Sequence, residues 1–285
     1  MQSCSPACRL KRASSALLLL AAGCASADDP RTFSEHVPDA AAPIQADAAT
    51  LDASVAPDAL APPVLVSDAG VSSDAQTDGR CGILRARIRD FKTAHPDFED
   101  LVNGRVVTGI VNPLLGADRK PSVNSSVAQT NGVTRFEDWY VDRDGVNLPF
   151  EIDIQLRAAG DDRFVYDSSA FFPLDDKGYG KEYLDHNFHF TTEIHLRFTY
   201  RAGDQFTFVG DDDLWLFING HLAIDLGGVH GREEKSVNLD QRAAELEITP
   251  GGSYAMDIFH AERHTGSSNF RIETTIACIQ SIDLL

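Results

Sequence analysis

From Cys81 onward, apolar residues fall at every second position in short segments separated by Gly, Asp, Asn and Pro. That period belongs to strands with one face buried. Leu84, Ala86 and Ile88 alternate with Arg85, Arg87 and Arg89, and Phe150, Ile152, Ile154 and Leu156 alternate with Glu151, Asp153 and Gln155. The same rhythm predicts strands through Ile194/Leu196/Phe198/Tyr200, Phe206/Phe208, Leu222/Ile224/Leu226, Tyr254/Met256/Ile258 and Phe270/Ile272/Thr274/Ile276. One short helix is expected over 91–101, after Asp90. Many short strands joined by turns predict an all-β domain over 80–285, a single sandwich or barrel.

Alternation fails at one place. Leu214-Trp215-Leu216-Phe217-Ile218 is apolar throughout, preceded by Gly210-Asp211-Asp212-Asp213 and followed by Asn219-Gly220. Asn-Gly is a two-residue hairpin signal, because a type I′ turn needs positive φ at both positions. Placing Ile218 opposite His221 pairs Phe217 with Leu222, Trp215 with Ile224 and Leu214 with Asp225, and brings Asp211 and Asp212 near Gly227-Gly228. In that register Trp215, Phe217, Leu222 and Ile224 share the core face, and the glycines leave room for another backbone or an ion.

Carboxylates gathered at one hairpin end need a reason, since like charges about 4 Å apart repel by roughly 1 kcal/mol in water and about 4 at a protein surface. A bound divalent cation supplies one. Successive strand residues point to opposite faces, so Asp211 and Asp212 reach one ion only where the backbone is distorted or cis. Oxygen ligands without thiolate favour a hard cation, calcium ahead of magnesium.

Charge divides the chain. Net charge is −18 over 285 residues, and residues 28–79 alone carry ten acids against Arg31. Built of Ala, Asp, Pro, Ser and Val, the 24–79 segment reads as a disordered, self-repelling tether. Acidity of this size argues against nucleic acid as a partner. Residues 1–23 have the form of an export signal, with Arg9, Lys11 and Arg12 before the run from Ala13 to Ala22. Leu20-Ala21-Ala22-Gly23-Cys24 resembles a bacterial lipobox, which makes Cys24 the lipidation site and a membrane the anchor; cleavage after Ala25-Ser26-Ala27 is the alternative. Both readings export the protein to the cell envelope, the cell surface or beyond. Cys4 and Cys8 leave with the signal, so Cys81 and Cys278 are expected to pair in an oxidising compartment, with two buried thiols as the alternative.

Several longer segments carry a family resemblance: His95-Pro96-Asp97-Phe98-Glu99, Phe171-Phe172-Pro173-Leu174-Asp175, His186 through Ile194, Phe208 through Gly220, Asp225-Leu226-Gly227-Gly228-Val229-His230 and Phe259-His260-Ala261-Glu262-Arg263. Together they resemble the fibro-slime domain of bacterial surface proteins, itself similar to the protective-antigen-type β-barrel of flocculins and adhesins. That resemblance implies calcium held between two loops at one end of the barrel and bridging to sugar hydroxyls. It places the metal ligands at Asp211, Asp212 and Glu262, with Asp213 a further acid that has no flocculin counterpart. Glu262 stands where flocculins carry Asn, so the cage is more anionic and leaves less open coordination for sugar. Asp225, Gly227, Gly228, His230, Arg263 and Asn269 complete the expected ligand-binding set, although Arg263 serves equally well as an ion-pair partner of Glu262 or Asp225.

Other candidates carry less. Asp142-Arg143-Asp144-Gly145 lacks the terminal Glu of a twelve-residue calcium loop and reads as a turn. His221, His230, His260 and His264 match no zinc spacing, and His260 and His264 read as strand-end surface residues. Trp215 is expected in the core, and Trp139 and Tyr140 are the stacking candidates. No nucleophile motif is present, so a binding protein is expected and not an enzyme. The expected function is adhesion or carbohydrate recognition, with a structural matrix component or a hydrolase as alternatives and a glycan or matrix component as partner.

Overall fold

The computed structural model describes residues 81–99, 102–181 and 185–282. The expected signal, the Cys24 lipid site and the acidic tether lie outside these residues. In chain order the strands are β1 (Ile83–Phe91), β2 (Asn147–Gln155), β3 (Arg157–Ala158), β4 (Phe164–Ser168), β5 (Phe190–Thr199), β6 (Gln205–Gly210), β7 (Asp213–Ile218), β8 (His221–Leu226), β9 (Glu233–Asn238), β10 (Ser253–Glu262), β11 (Phe270–Thr274) and β12 (Ile279–Ser281). Two short α-helices, α1 (Ser125–Gln129) and α2 (Leu239–Arg242), and a 3₁₀ turn at Phe136–Asp138 complete the set among the described residues.

The strands form two antiparallel sheets. One has seven strands in the order β2-β1-β5-β10-β7-β8, with β12 pairing β5 beyond the end of β1; the other has five, β3-β4-β11-β6-β9. Each sheet keeps its own edges, so the architecture is a sandwich and not a closed barrel. The core between the sheets takes the alternating residues read from the sequence, among them Leu84, Ile88, Ile194, Phe208, Ile258, Phe270 and Ile272. Cys81 and Cys278 are disulfide-bonded, with Cα atoms 4.9 Å apart across a separation of 197 residues. The bond joins the approach to β1 to the approach to β12.

Residues 103–146, between β1 and β2, spread over the outer face of the seven-stranded sheet. Their Ile110, Val111, Val133, Phe136, Trp139 and Tyr140 build a second core against Trp215, Phe217, Phe259 and Ala261. This cover explains the unbroken apolar run: β7 is buried on both faces, so neither parity of its residues has to be polar.

Three expectations need correction. A bulge between Leu216 and Phe217 leaves Ala223 as an extra residue in β8, so Trp215 lies opposite Asp225 and Leu216 opposite Ile224, one step from the expected pairing. Trp215, Phe217 and Leu222 consequently pack in the outer core, while Ile224 enters the inner one. The helix over 91–101 is not formed in its described part. Phe91 still belongs to β1, and the chain then turns, with His95 N donating to Lys92 O and Phe98 N to His95 O around Pro96, whose missing N–H cannot extend a helical ladder. Trp139 and Tyr140 are fully buried, so neither is a stacking platform.

Candidate functional site

The acidic run occupies the crossing from β6 in one sheet to β7 in the other. Asp212 has φ +56°, in the left-handed region, and among the described residues there is no cis peptide bond. One left-handed residue breaks the strand alternation, so Asp211 and Asp212 both meet the loop that follows β10. Asp211 accepts from Asn269 N (2.5 Å), Asn269 Nδ2 (2.8 Å) and Ser267 Oγ (2.5 Å). Asp212 Oδ2 accepts from the main-chain N–H groups of Arg263 (2.6 Å) and His264 (2.9 Å). Both aspartates line a pocket of about 270 Å³, with Gly104, His230, His264 and Ser267 on its walls.

Asp213 turns elsewhere. Its Oδ1 accepts from Gly228 N at 2.6 Å and its Oδ2 from Arg263 Nε at 2.5 Å, with both side chains of the pair fully buried. The Arg263 guanidinium lies over the Trp139 ring at 5.1 Å and donates through Nη1 to Asp97 O. Arg263 therefore neutralises Asp213, and not Glu262 or Asp225.

Glu262 ends β10 with its side chain in the inner core, fully buried, and neither carboxylate oxygen accepts a hydrogen bond. Ser268, a polar neighbour, sends its hydroxyl proton to Phe171 O at 2.9 Å. Burial, then the charges of Asp212 and Asp211, holds the Glu262 carboxyl well above its ordinary range. Asp212 is pushed up to about 7, chiefly by burial and further by Asp213 and Asp211, against the opposing pull of Arg263. Buried carboxyls with raised proton affinity are the kind of perturbed groups that mark candidate functional positions. Among the described residues, however, no three His, Cys, Asp or Glu side chains converge as a ready ligand set.

The remaining expected residues divide. Gly227 and Gly228 face backbone: a Cβ on Gly227 would stand 2.8 Å from Val107 O, and one on Gly228, at φ +93°, 3.1 Å from Arg105 O. Asp225 points to the outer face, accepting from Trp215 Nε1 (3.1 Å) and Gly109 N (2.8 Å), away from the pocket. His230 lines the pocket while its ring nitrogens meet Gly231 O and Leu226 O. Asn269 supports Asp211. His260 is no surface residue: it is fully buried among Phe171, Phe190, Phe208 and Phe270, and burial lowers its pKa to about 3. The 142–145 segment is a turn, and Asp142 pairs with Arg87 and Arg89.

Two residues that shape the site had no role in the sequence reading. Asp97 accepts from Thr134 N and Oγ1, Arg135 N and Trp139 Nε1, fixing the ring on which Arg263 rests. Glu99 receives Thr265 N at 3.1 Å and meets His189 Nε2 at 2.8 Å, bracing the second loop. Both lie in the His95-to-Glu99 motif, whose two acids beside aromatic residues were the available signal.

Residues 172–280 match the PA14 domain, a span that includes the acidic run and Glu262. Over 213 residues the chain is 40% identical to protein psiD of Dictyostelium discoideum, covering 68% of this chain and 41% of psiD. Over 214 residues it is 38% identical to psiR of the same organism, covering 68% of this chain and 21% of psiR. The chain thus spans less than half the length of these relatives. A GH31 α-xylosidase from Xanthomonas citri is similar at a TM-score of 0.28 and 8% identity, over 70% of this chain and 24% of that one. The PA14 match agrees with the protective-antigen-type resemblance, while the fibro-slime resemblance rests on the sequence motifs alone.

Proposed function

We propose that the protein is an exported surface protein whose carboxylate pocket binds calcium and, through that end of the sandwich, a glycan or matrix component. The observation that carries this reading is Glu262, fully buried against the carboxyls of Asp212 and Asp211 with no cation or main-chain donor on either of its oxygens. A divalent cation would relieve that repulsion and supply a Lewis-acidic contact for hydroxyl groups. Asp211, Asp212 and Glu262 would hold it, with reorientation of at least one side chain to bring the oxygens together. Asp213 serves as the counter-ion of Arg263. The PA14 match supports an adhesive or sugar-recognising role and a place outside the cell, and no helix among the described residues is long and apolar enough to cross a membrane. Lipidation at Cys24 would anchor the protein to a membrane.

Calcium added to chelator-treated protein should raise the melting temperature, and Asp212→Ala should abolish the rise. An unchanged wild-type melt removes the proposal. A glycan array probed with and without calcium separates recognition from a purely structural ion: binding lost with chelator supports recognition, whereas a calcium-stabilised protein that binds no glycan and self-associates identifies a matrix component.

A further inference from the structure

With Trp139 and Tyr140 buried, a different pair of rings offers a flat surface near the acidic pocket. On the segment leading into β5, His186 lies on Phe172 with ring centroids 3.9 Å apart and planes 9° from parallel. Buried Phe188 meets both rings at steep angles, 4.9 Å from Phe172 and 6.1 Å from His186. The imidazole is also held at its edge: Nδ1 stands 2.7 Å from Asp175 Oδ2, and Asp175 Oδ1 accepts from Asn187 N at 2.9 Å. Even so, 40% of the His186 side chain is exposed. A ring fixed from two sides yet open to solvent is already ordered before anything binds, so a ligand has no rotamer freedom to remove there.

The stacked rings are tied to the loop that walls the pocket. Phe171 N donates to Ser268 O and Ser268 Oγ donates to Phe171 O, both at 2.9 Å, while the preceding Ser267 donates through Oγ to Asp211 Oδ2. Phe171 sends its ring into the inner core, and Phe172, next in the chain, is the half-buried partner of His186. Two chain steps and one hydrogen-bonded contact therefore separate Phe172 from Ser267, a Cα distance within about 13 Å. A second tie runs from the other side: His189, three residues after His186, meets Glu99, which receives Thr265 N.

We propose that the His186–Phe172 pair is a glycan subsite, stacking one pyranose ring of an oligosaccharide whose end residue is held at the carboxylate pocket. The proposal rests on the reading of that pocket as a calcium and glycan site. A pyranose has faces of C–H groups and a rim of hydroxyls. The ring pair gives the faces a flat apolar partner, and the rim a hydrogen-bonding one in His186 Nε2, since among the described residues the polar contacts of this imidazole run through Nδ1 alone. A simple anion would gain nothing from the ring faces, and a wholly apolar ligand would leave Nε2 unmet. The ion thus holds one sugar, and the ring pair selects for chain length.

Calorimetric titration of the full, calcium-loaded chain with the methyl glycosides of glucose, galactose and mannose, and with a trisaccharide of each, tests it. For the sugar that binds, the trisaccharide should bind about tenfold more tightly than the monosaccharide, the scale of one ring stack, and the His186 ring protons should shift in NMR spectra with the trisaccharide only. His186→Ala should remove the gain and His186→Phe, which keeps a flat stack, should retain most of it, while both keep the rise in melting temperature on adding calcium. A monosaccharide that binds without any gain from the longer chain, or His186 resonances that stay still, overturns the subsite and leaves the ion pocket standing. No binding of any of these sugars by a protein whose melt responds to calcium overturns the glycan reading and the subsite together. The wild-type titration and spectra decide the matter even if a variant fails to fold.

Discussion

Replacing Arg263 with Met would leave Asp213 charged, buried and nearly alone. The pair is 2.5 Å apart with no exposed surface on either side chain, and Asp213 would keep a single donor, Gly228 N at 2.6 Å. Breaking a buried pair from one side costs about 3–5 kcal/mol, and lifting the cation off the Trp139 ring adds about 1. Domain stabilities are about 5–15 kcal/mol, so the expected loss is a large fraction of the whole. Urea unfolding should show a lower midpoint with an unchanged slope. Adding Asp213→Asn removes the stranded charge and should restore roughly 2 kcal/mol or more as a coupling energy. A loss below about 1 kcal/mol for Arg263→Met, the scale of an exposed pair, or strictly additive single effects, would refute the assignment of Arg263 as the buried counter-ion.

Glu262→Gln should erase the calcium response while leaving the chelator-treated melting temperature nearly unchanged, because the buried carboxyl is already neutral without the ion and the amide carries no charge to hold one; differential scanning calorimetry reads both. Glu193 lies at about 2 rather than 4.5, held down against burial by His195, Arg89 and Lys120, so its contribution of about 3 kcal/mol is present above pH 4.5 and lost as pH falls toward 2, which acid titration of urea midpoints would detect and Glu193→Gln would abolish. Gly228→Ala, at φ +93° with Arg105 O only 3.1 Å from the new Cβ, should destabilise by more than about 1 kcal/mol in the same assay. Reducing Cys81–Cys278 should lower stability by roughly 5 kcal/mol on the chain-entropy model, measured with and without reductant.

Much of the inner core was legible because period-two alternation records burial on one face only, as in β2 and β11. Much of what stayed hidden came from chain that is not strand. Nothing in Trp139-Tyr140 distinguishes a loop aromatic at the surface from one tucked beneath its own loop, and the fold of residues 103–146 over the outer face decides it. The bulge at Ala223 was equally invisible, since a small apolar residue fits either register. Around the acids, Asp211, Asp212 and Glu262 were placed by motif, while the separation of Asp213 toward Arg263 depends on backbone twist at Asp212 that residue types do not encode.

The disulfide lies at the Thr199 end of β5, and Glu262 pairs with Phe190 at the other end, about 30 Å away along the strand. A pull between something gripped at the acidic rim and the chain entering at Cys81 would run along the strand axes and load β1 in shear. Its rungs to β2 and β5 would have to yield together instead of unzipping one at a time, and the covalent link would pass part of the force to β12. Such a geometry suits a module that must hold under flow or traction.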